Sequence, residues 1–123
     1  MAANDRPNTT KIFIYGTLKR GQCRAHVLDG QRFLRTAVTV PAYRMYDTGS
    51  YPAMVEDDNG VAIEGELWEV DEHCLQQLDS IEGTPHLYQR RTVVLSDPEI
   101  DDAQTYIYCQ SVTGLVDCGS RWD

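Results

Sequence analysis

Residues 71–83 carry the pattern that most restricts the fold, because they predict a single well-capped helix in a chain otherwise made of short strand-like runs. Asp71 is a typical N-cap residue, and Glu72 lies in the first turn. Gly83 is the residue type that closes a helix, and Pro85 prevents continuation. The apolar side chains repeat at helical spacing and form one stripe: Cys74, Leu75, Leu78 and Ile81. One helix inserted among short strands predicts an α+β domain with a small closed or partly closed sheet.

The strand-like runs are short, apolar and rich in β-branched and aromatic residues. Residues 11–15, ended by Gly16, have the composition of a strand that is buried on both faces. Further strands are predicted at 36–40, 43–46, 53–56, 61–70, 91–95 and 103–112. The pair Asn59-Gly60 predicts a hairpin between the third and fourth of these. An acidic turn at 97–102 joins the last two.

Two other segments complete the predicted organisation. Alternation within 61–70 predicts a half-buried strand with Glu64 and Glu66 on the polar face. Residues 24–34 should form only a short helical turn, because Asp29-Gly30 interrupts a longer helix. Residues 1–10 are polar and aperiodic, so we expect a flexible N-terminal tail followed by one domain over 11–123.

Size and cysteine usage exclude a disulfide-dense mini-protein. A domain of 123 residues buries enough surface to fold without a metal or a disulfide. The four cysteines are widely separated, and residues 1–10 contain no apolar segment of the kind found in signal peptides. The chain is therefore expected to be cytoplasmic, with reduced thiols.

Charge and hydropathy restrict the classes of partner that the chain can bind. Nineteen acidic and eleven basic side chains leave a net charge of −8, which repels a phosphate backbone. No apolar run approaches the roughly 20 residues of a membrane span. We therefore expect neither nucleic acid nor a membrane as a partner.

Glu82 is the most informative polar residue. If the helix extends that far, Glu82 lies on the same stripe as Leu75 and Leu78 and therefore faces the core. Burial and the negative end of the helix dipole both disfavour the charged carboxylate and raise its pKa, as in a general acid/base. The alternative is that the helix frays at Ser80 and leaves Glu82 in solvent.

A second candidate site is the turn Tyr15-Gly16-Thr17-Leu18, directly after the buried strand. Successive backbone N–H groups in such a turn can hold an anion or a developing oxyanion, and glycine permits close approach. Lys19, Arg20 and Gly21 would follow at the rim. The alternative is that Gly16 simply turns the chain.

Other residues give weaker signals. His26, His73 and His86 lack metal-ligand spacing, so no metal site is expected, and no P-loop or nucleophile-elbow motif occurs. No cationic neighbour pattern singles out a reactive cysteine. The aromatic positions Tyr51 and Tyr88, with Pro52, are expected in a pocket or in the core.

The ordered set of motifs resembles the gamma-glutamyl cyclotransferase family, and within it the gamma-glutamylamine cyclotransferases. It runs from about residue 11 to 112 and comprises Ile14-Tyr-Gly-Thr-Leu-Lys-Arg-Gly21, Glu64-Gly-Glu-Leu67, Val70-Asp-Glu72, Leu78-Asp-Ser-Ile-Glu82 and Leu87-Tyr-Gln-Arg90. The resemblance implies a small mixed β-barrel with flanking short helices. It further implies that Tyr15, Gly16, Thr17 and Leu18 bind a gamma-glutamyl group and that Glu82 is catalytic.

The reaction implied by the resemblance closes the gamma-glutamyl group into 5-oxoproline, expels an amine or amino acid and needs no cofactor. One alternative is a catalytically silent binding domain of the same fold. Another is an oligonucleotide-binding barrel, which the negative charge disfavours. The oligomeric state stays open, with a monomer slightly favoured, and so do the leaving amine and the role of residues 114–123.

Overall fold

The computed structural model describes residues 9–123, which form eight strands, one α-helix and one short 3-10 helix. The 3-10 helix, Ala25–Leu28, confirms the predicted short helical turn. The other elements in chain order are β1 Thr9–Ile14, β2 Arg32–Val38, β3 Tyr43–Asp47, β4 Pro52–Glu56, β5 Glu64–Asp71, α1 Glu72–Ile81, β6 Tyr88–Thr92, β7 Gln104–Tyr108 and β8 Val116–Asp117. Neither helix in this part of the chain is long and apolar enough to cross a membrane.

The strands form two sheets. The larger sheet has the order β2-β5-β1-β7-β6; β1 and β7 run parallel, and every other pair of neighbouring strands in this sheet is antiparallel. The smaller sheet has the order β4-β3-β8. The expected α+β architecture is confirmed, but the expected barrel is wrong because the sheets do not close. In the described part of the chain, the ends of the larger sheet meet only through an isolated bridge between Thr39 and Leu95, beyond β2 and β6. A single bridge leaves these strands without a continuous ladder.

Two apolar cores lie on opposite faces of the larger sheet. Phe13 and Leu67, paired across β1 and β5, face the smaller sheet and pack with Met45 and Met54. Their neighbours Ile12 and Trp68 face α1. Because successive side chains of a strand point to opposite faces, β1 is buried on both, as its composition predicted.

The capped helix is confirmed at both ends. The Asp71 carboxylate accepts a hydrogen bond from the backbone N–H of Cys74 at 2.8 Å. At the other end, Thr84 N–H donates to Asp79 O at 3.1 Å and Gly83 N–H to Ser80 O at 3.2 Å, which is a Schellman motif. Gly83 adopts φ +66°, the left-handed conformation that this motif requires. These bonds set the end of α1 and hence the position of Glu82.

The predicted hairpin is wrong. β4 pairs with β3, whereas β5 pairs with β1 and β2. The turn at 57–60 does form, with Gly60 N–H bonded to Asp57 O, but Val61 N–H then donates to Tyr43 O at 2.7 Å. The turn therefore carries the chain from the smaller sheet to the larger one.

Several expected boundaries also change. Strand β2 begins at Arg32, β6 comprises Tyr88–Thr92 rather than 91–95, and β7 ends at Tyr108. Thr9 and Thr10 belong to β1, so the predicted tail is too long at that end; residues 1–8 lie outside the described part. Strand β5 is not half-buried, because Glu66 on its expected polar face is only 7% exposed.

Candidate active site

A cavity of about 100 Å³ lies where β1 ends, β4 begins and α1 terminates. All eight residues predicted for a site line it: Tyr15, Gly16, Thr17, Leu18, Tyr51, Pro52, Glu82 and Tyr88. The remaining lining residues are Phe13, Ile14, Arg24, Ile81, Leu87 and Tyr106. The fold thus brings together segments that are far apart in the sequence.

Glu82 is the helix C-cap and is partly buried in the cavity wall. Burial raises the pKa of its carboxyl to about 7, and the positive charge of Arg24 offsets part of this increase. Fraying at Ser80 does not occur, because α1 continues to Ile81 and closes through Gly83. A carboxyl with this pKa can both accept and donate a proton near neutral pH.

The turn at 15–18 lines the same cavity. Gly16 O accepts a bond from Lys19 N–H at 3.0 Å, and Thr17 O accepts one from Arg24 N–H at 2.8 Å. The N–H groups of Gly16, Thr17 and Leu18 have no protein acceptor within residues 9–123. These three donors are therefore available to a ligand.

Gly16 is required by close packing. A Cβ at this position would lie 2.6 Å from Pro52 Cγ, which is closer than real Cβ atoms come to other carbons. Gly16 is not among the glycines with positive φ, so its conformation does not explain the residue. The absence of a side chain allows the turn to lie against β4.

The tyrosine hydroxyls hold the cavity walls together. Tyr15 donates to Tyr106 O at 2.7 Å, and Tyr88 donates to Pro52 O at 2.7 Å. Burial raises the pKa of both phenols above its ordinary value, so they stay neutral. The centroids of the Tyr51 and Tyr88 rings lie 6.1 Å apart. The cavity wall is therefore a fixed aromatic surface.

Sequence reasoning missed Asp79, which fixes the end of α1. Its carboxylate accepts a bond from Tyr106 Oη at 2.7 Å and two from Arg90 Nη1 at 2.8 and 2.9 Å. These contacts tie the last turn of α1 to β7 and β6. Asp79 belongs to the sequence motif Leu78–Glu82, but only the fold shows that it contacts Tyr106 and Arg90.

Glu66 was also missed, since its strand position indicated solvent exposure. Its carboxylate accepts bonds from Arg20 N–H, Arg20 Nε and Trp68 Nε1, each at 3.1 Å. The Arg20 guanidinium also lies 3.8 Å from the centre of the Phe33 ring. Glu66 thus anchors the loop that follows the Tyr15–Leu18 turn.

The basic rim expected from Lys19 and Arg20 is not part of the cavity lining, where Arg24 supplies the positive charge instead. Lys19 Nζ donates to Trp122 O, which attaches the C-terminal segment to the loop. No residue of 114–123 lines the cavity. Among the described residues, no cluster of His, Cys, Asp and Glu could hold a metal ion.

The family model for "Gamma-glutamyl cyclotransferase, AIG2-like" matches residues 12–123. The chain belongs to this family. A Vibrio cholerae protein that carries the family's name is 37% identical over 110 residues, covering 88% of this chain and 91% of its own length. Human gamma-glutamylaminecyclotransferase is 36% identical over 113 residues, covering 80% of this chain and 74% of its own.

The solved structures agree with the fold of this gamma-glutamyl cyclotransferase family member. The crystal structure of a mouse AIG2-like protein superimposes with a TM-score of 0.75 at 29% identity, covering 92% of this chain and 88% of the mouse chain. The family therefore includes relatives named for two substrate classes, gamma-glutamyl compounds in general and gamma-glutamylamines.

Proposed function

We propose that the protein cyclises the gamma-glutamyl group of a gamma-glutamylamine or gamma-glutamyl amino acid to 5-oxoproline and releases the free amine. The observation that carries this proposal is a carboxyl with a pKa of about 7, at Glu82, in the same cavity as three unpartnered backbone N–H groups. This pairs a proton carrier with donors for an oxyanion.

The reaction is intramolecular. The substrate α-amine attacks its own γ-carbonyl carbon, a C–N bond forms in a five-membered ring, and the original amide C–N bond breaks. The cavity would hold the glutamyl chain curled, so that the two reacting atoms lie close together.

Protons balance through one carboxylate. Glu82 takes a first proton from the α-ammonium, which frees the lone pair for attack, and gives it to the leaving nitrogen as the amide C–N bond breaks. It then takes the second proton from the new ring nitrogen and passes it to the released amine, which leaves as an ammonium. The N–H groups of Gly16, Thr17 and Leu18 would bind the carbonyl oxygen as negative charge develops there. One well-placed donor of this kind contributes about 3 to 4 kcal/mol in other acyl transfers. The whole cycle uses only side-chain and backbone groups.

The test is 5-oxoproline formation by the purified protein from a panel of gamma-glutamyl alkylamines and gamma-glutamyl amino acids. Glu82→Gln keeps the shape of the side chain but cannot carry the proton, so turnover should fall roughly a hundredfold or more. Glu72→Gln, an exposed change at the other end of α1, is the matched control and should retain wild-type turnover.

Two results would contradict the proposal. Near wild-type turnover in Glu82→Gln would exclude Glu82 as the acid/base. An intact wild-type protein that binds 5-oxoproline but forms none from any substrate of the panel would instead identify a silent binding domain.

A further inference from the structure

Within residues 9–123, Arg24 is the one cationic residue that lines the cavity, and Glu82 is the one anionic residue. Arg24 lies in the loop before the 3-10 helix Ala25–Leu28 and is partly exposed. Its guanidinium is close enough to influence Glu82 electrostatically, but the two form no ion pair within 4.0 Å. The two ionisable groups of the cavity are therefore not paired with each other.

The backbone of Arg24 is held in place. Its N–H donates to Thr17 O at 2.8 Å, and its carbonyl accepts a bond from Val27 N–H at 3.1 Å. The first bond couples Arg24 directly to the turn whose N–H groups are proposed to bind the substrate carbonyl oxygen. Any movement of the turn would therefore involve Arg24 as well.

The Arg24 guanidinium has no acceptor within residues 9–123. Other arginines of the chain are paired with carboxylates, for example Arg90 with Asp79 at 2.8 Å and Arg44 with Asp117 at 2.9 Å. These pairs hold parts of the fold together. Arg24 makes no such contact, so its five N–H donors remain available to a molecule in the cavity.

We propose that Arg24 binds a carboxylate of the substrate, an inference that rests on the proposed cyclotransferase function. A guanidinium matches a carboxylate through two parallel N–H···O bonds. Two carboxylates are candidates. The glutamyl α-carboxylate occurs in every substrate and in 5-oxoproline, whereas a second carboxylate occurs only where the leaving group is an amino acid.

The first arm of the test measures binding without catalysis. Isothermal titration calorimetry compares 5-oxoproline with 2-pyrrolidinone, the same ring without the carboxylate, on wild-type protein and Arg24→Gln. If Arg24 holds the α-carboxylate, the variant loses roughly tenfold or more in affinity for 5-oxoproline and none for 2-pyrrolidinone. Arg24→Lys keeps the charge without the fork and should recover affinity only in part.

The second arm measures KM for a gamma-glutamyl amino acid and for the gamma-glutamyl alkylamine of similar size. If Arg24 holds the leaving-group carboxylate, Arg24→Gln raises KM about tenfold or more for the amino acid alone, and 5-oxoproline affinity stays constant. Loss of the Arg24 charge also raises the pKa of Glu82. This affects both substrates alike, so it cancels when the value for the amino acid substrate is divided by the value for the alkylamine substrate.

Arg32→Gln is the matched control, since it removes the same charge from β2 outside the cavity lining. If the wild-type enzyme is active and Arg24→Gln matches it both in affinity for 5-oxoproline relative to 2-pyrrolidinone and in KM for the two substrates, this inference is wrong and the proposed function stands. If the wild-type protein neither forms nor binds 5-oxoproline, both fail.

Discussion

Glu82 combines a position set by local sequence with an environment set by distant residues. The Schellman motif at Gly83 ends α1 and fixes the backbone of Glu82. Its neighbours in the cavity wall, such as Tyr15 and Tyr88, come from other elements and remove water from the carboxyl. Burial therefore dominates the increase in its pKa.

The pKa of Glu82 leads to a prediction for stability against pH. A carboxyl with a raised pKa holds its proton more tightly in the folded protein than in the unfolded chain. Wild-type stability should therefore fall, relative to Glu82→Gln, as the pH rises from about 4.5 to about 7. The full difference is about 3 kcal/mol or less.

Urea unfolding of both proteins below and above this interval measures that difference. Carbon NMR of the labelled Glu82 carboxyl should give a midpoint near 7 in the free protein. A midpoint near the ordinary value of 4.5 would show that the carboxyl is solvated, against the structure.

Gly16 leads to a second prediction, on ligand binding. Gly16→Ala places a Cβ against the Pro52 ring, so the turn must move and affinity for 5-oxoproline should fall about tenfold or more. Replacing Pro52 by Ala in the same protein removes the ring carbon at 2.6 Å and should recover part of the affinity. Calorimetry on both variants checks this, and unchanged affinity in Gly16→Ala would remove the turn from the binding site.

The helix α1 positions the proposed acid/base through its last turn. Asp79, three residues before Glu82, connects that turn to Tyr106 on β7 and Arg90 on β6. The helix therefore cannot shift relative to the cavity wall without breaking charged hydrogen bonds. These contacts explain why the motif that ends at Glu82 contains an Asp at position 79.

Asp79→Ala should lower the free energy of unfolding by about 1 to 3 kcal/mol, because Tyr106 and Arg90 lose their acceptor. Turnover should fall with it, since the end of α1 is no longer fixed. Asp79→Asn can still accept from Tyr106 and should be affected less. Chemical denaturation and steady-state kinetics test this, and an Asp79→Ala protein with wild-type stability and turnover would contradict it.

Across the whole molecule, the central strands β1 and β5 connect the two cores with the site. Glu66 on β5 lies opposite Ile14, and its carboxylate binds Arg20 in the loop after the turn. The Trp68 indole shares that acceptor. The same carboxylate thus serves a core aromatic residue and the loop beside the cavity.

Glu66→Ala leaves the Trp68 Nε1–H without its acceptor and frees Arg20, so stability should fall by about 1 to 3 kcal/mol. Affinity for 5-oxoproline should also fall, because the loop is no longer anchored. Glu64→Ala on the same strand removes an exposed carboxylate and serves as the control. Equal behaviour of the two variants in denaturation and calorimetry would show that Glu66 does not anchor the loop.

Local sequence was sufficient for α1 and β1. Capping residues, helical spacing and a closing glycine act within a few residues of one another, so the helix and the place of Glu82 were predictable. The turn after the buried strand indicated Tyr15–Leu18, and the family resemblance gave that turn a binding role. The aromatic positions with their proline indicated Tyr51, Pro52 and Tyr88, and all of these residues line one cavity. Their roles in binding and catalysis remain predictions.

Tertiary structure decided what depends on contacts between distant residues. The Asn59-Gly60 turn formed as predicted, but strand partners are chosen by packing, and β5 joined β1 instead of β4. Burial of Glu66 depends on Arg20, 46 positions away. The place of Arg24 in the cavity depends on the folded path of its loop. Sequence patterns indicate which face of an element is apolar. Strand pairing, the closure of a sheet and the hydrogen-bond donors left without a protein acceptor instead follow from how the elements pack together.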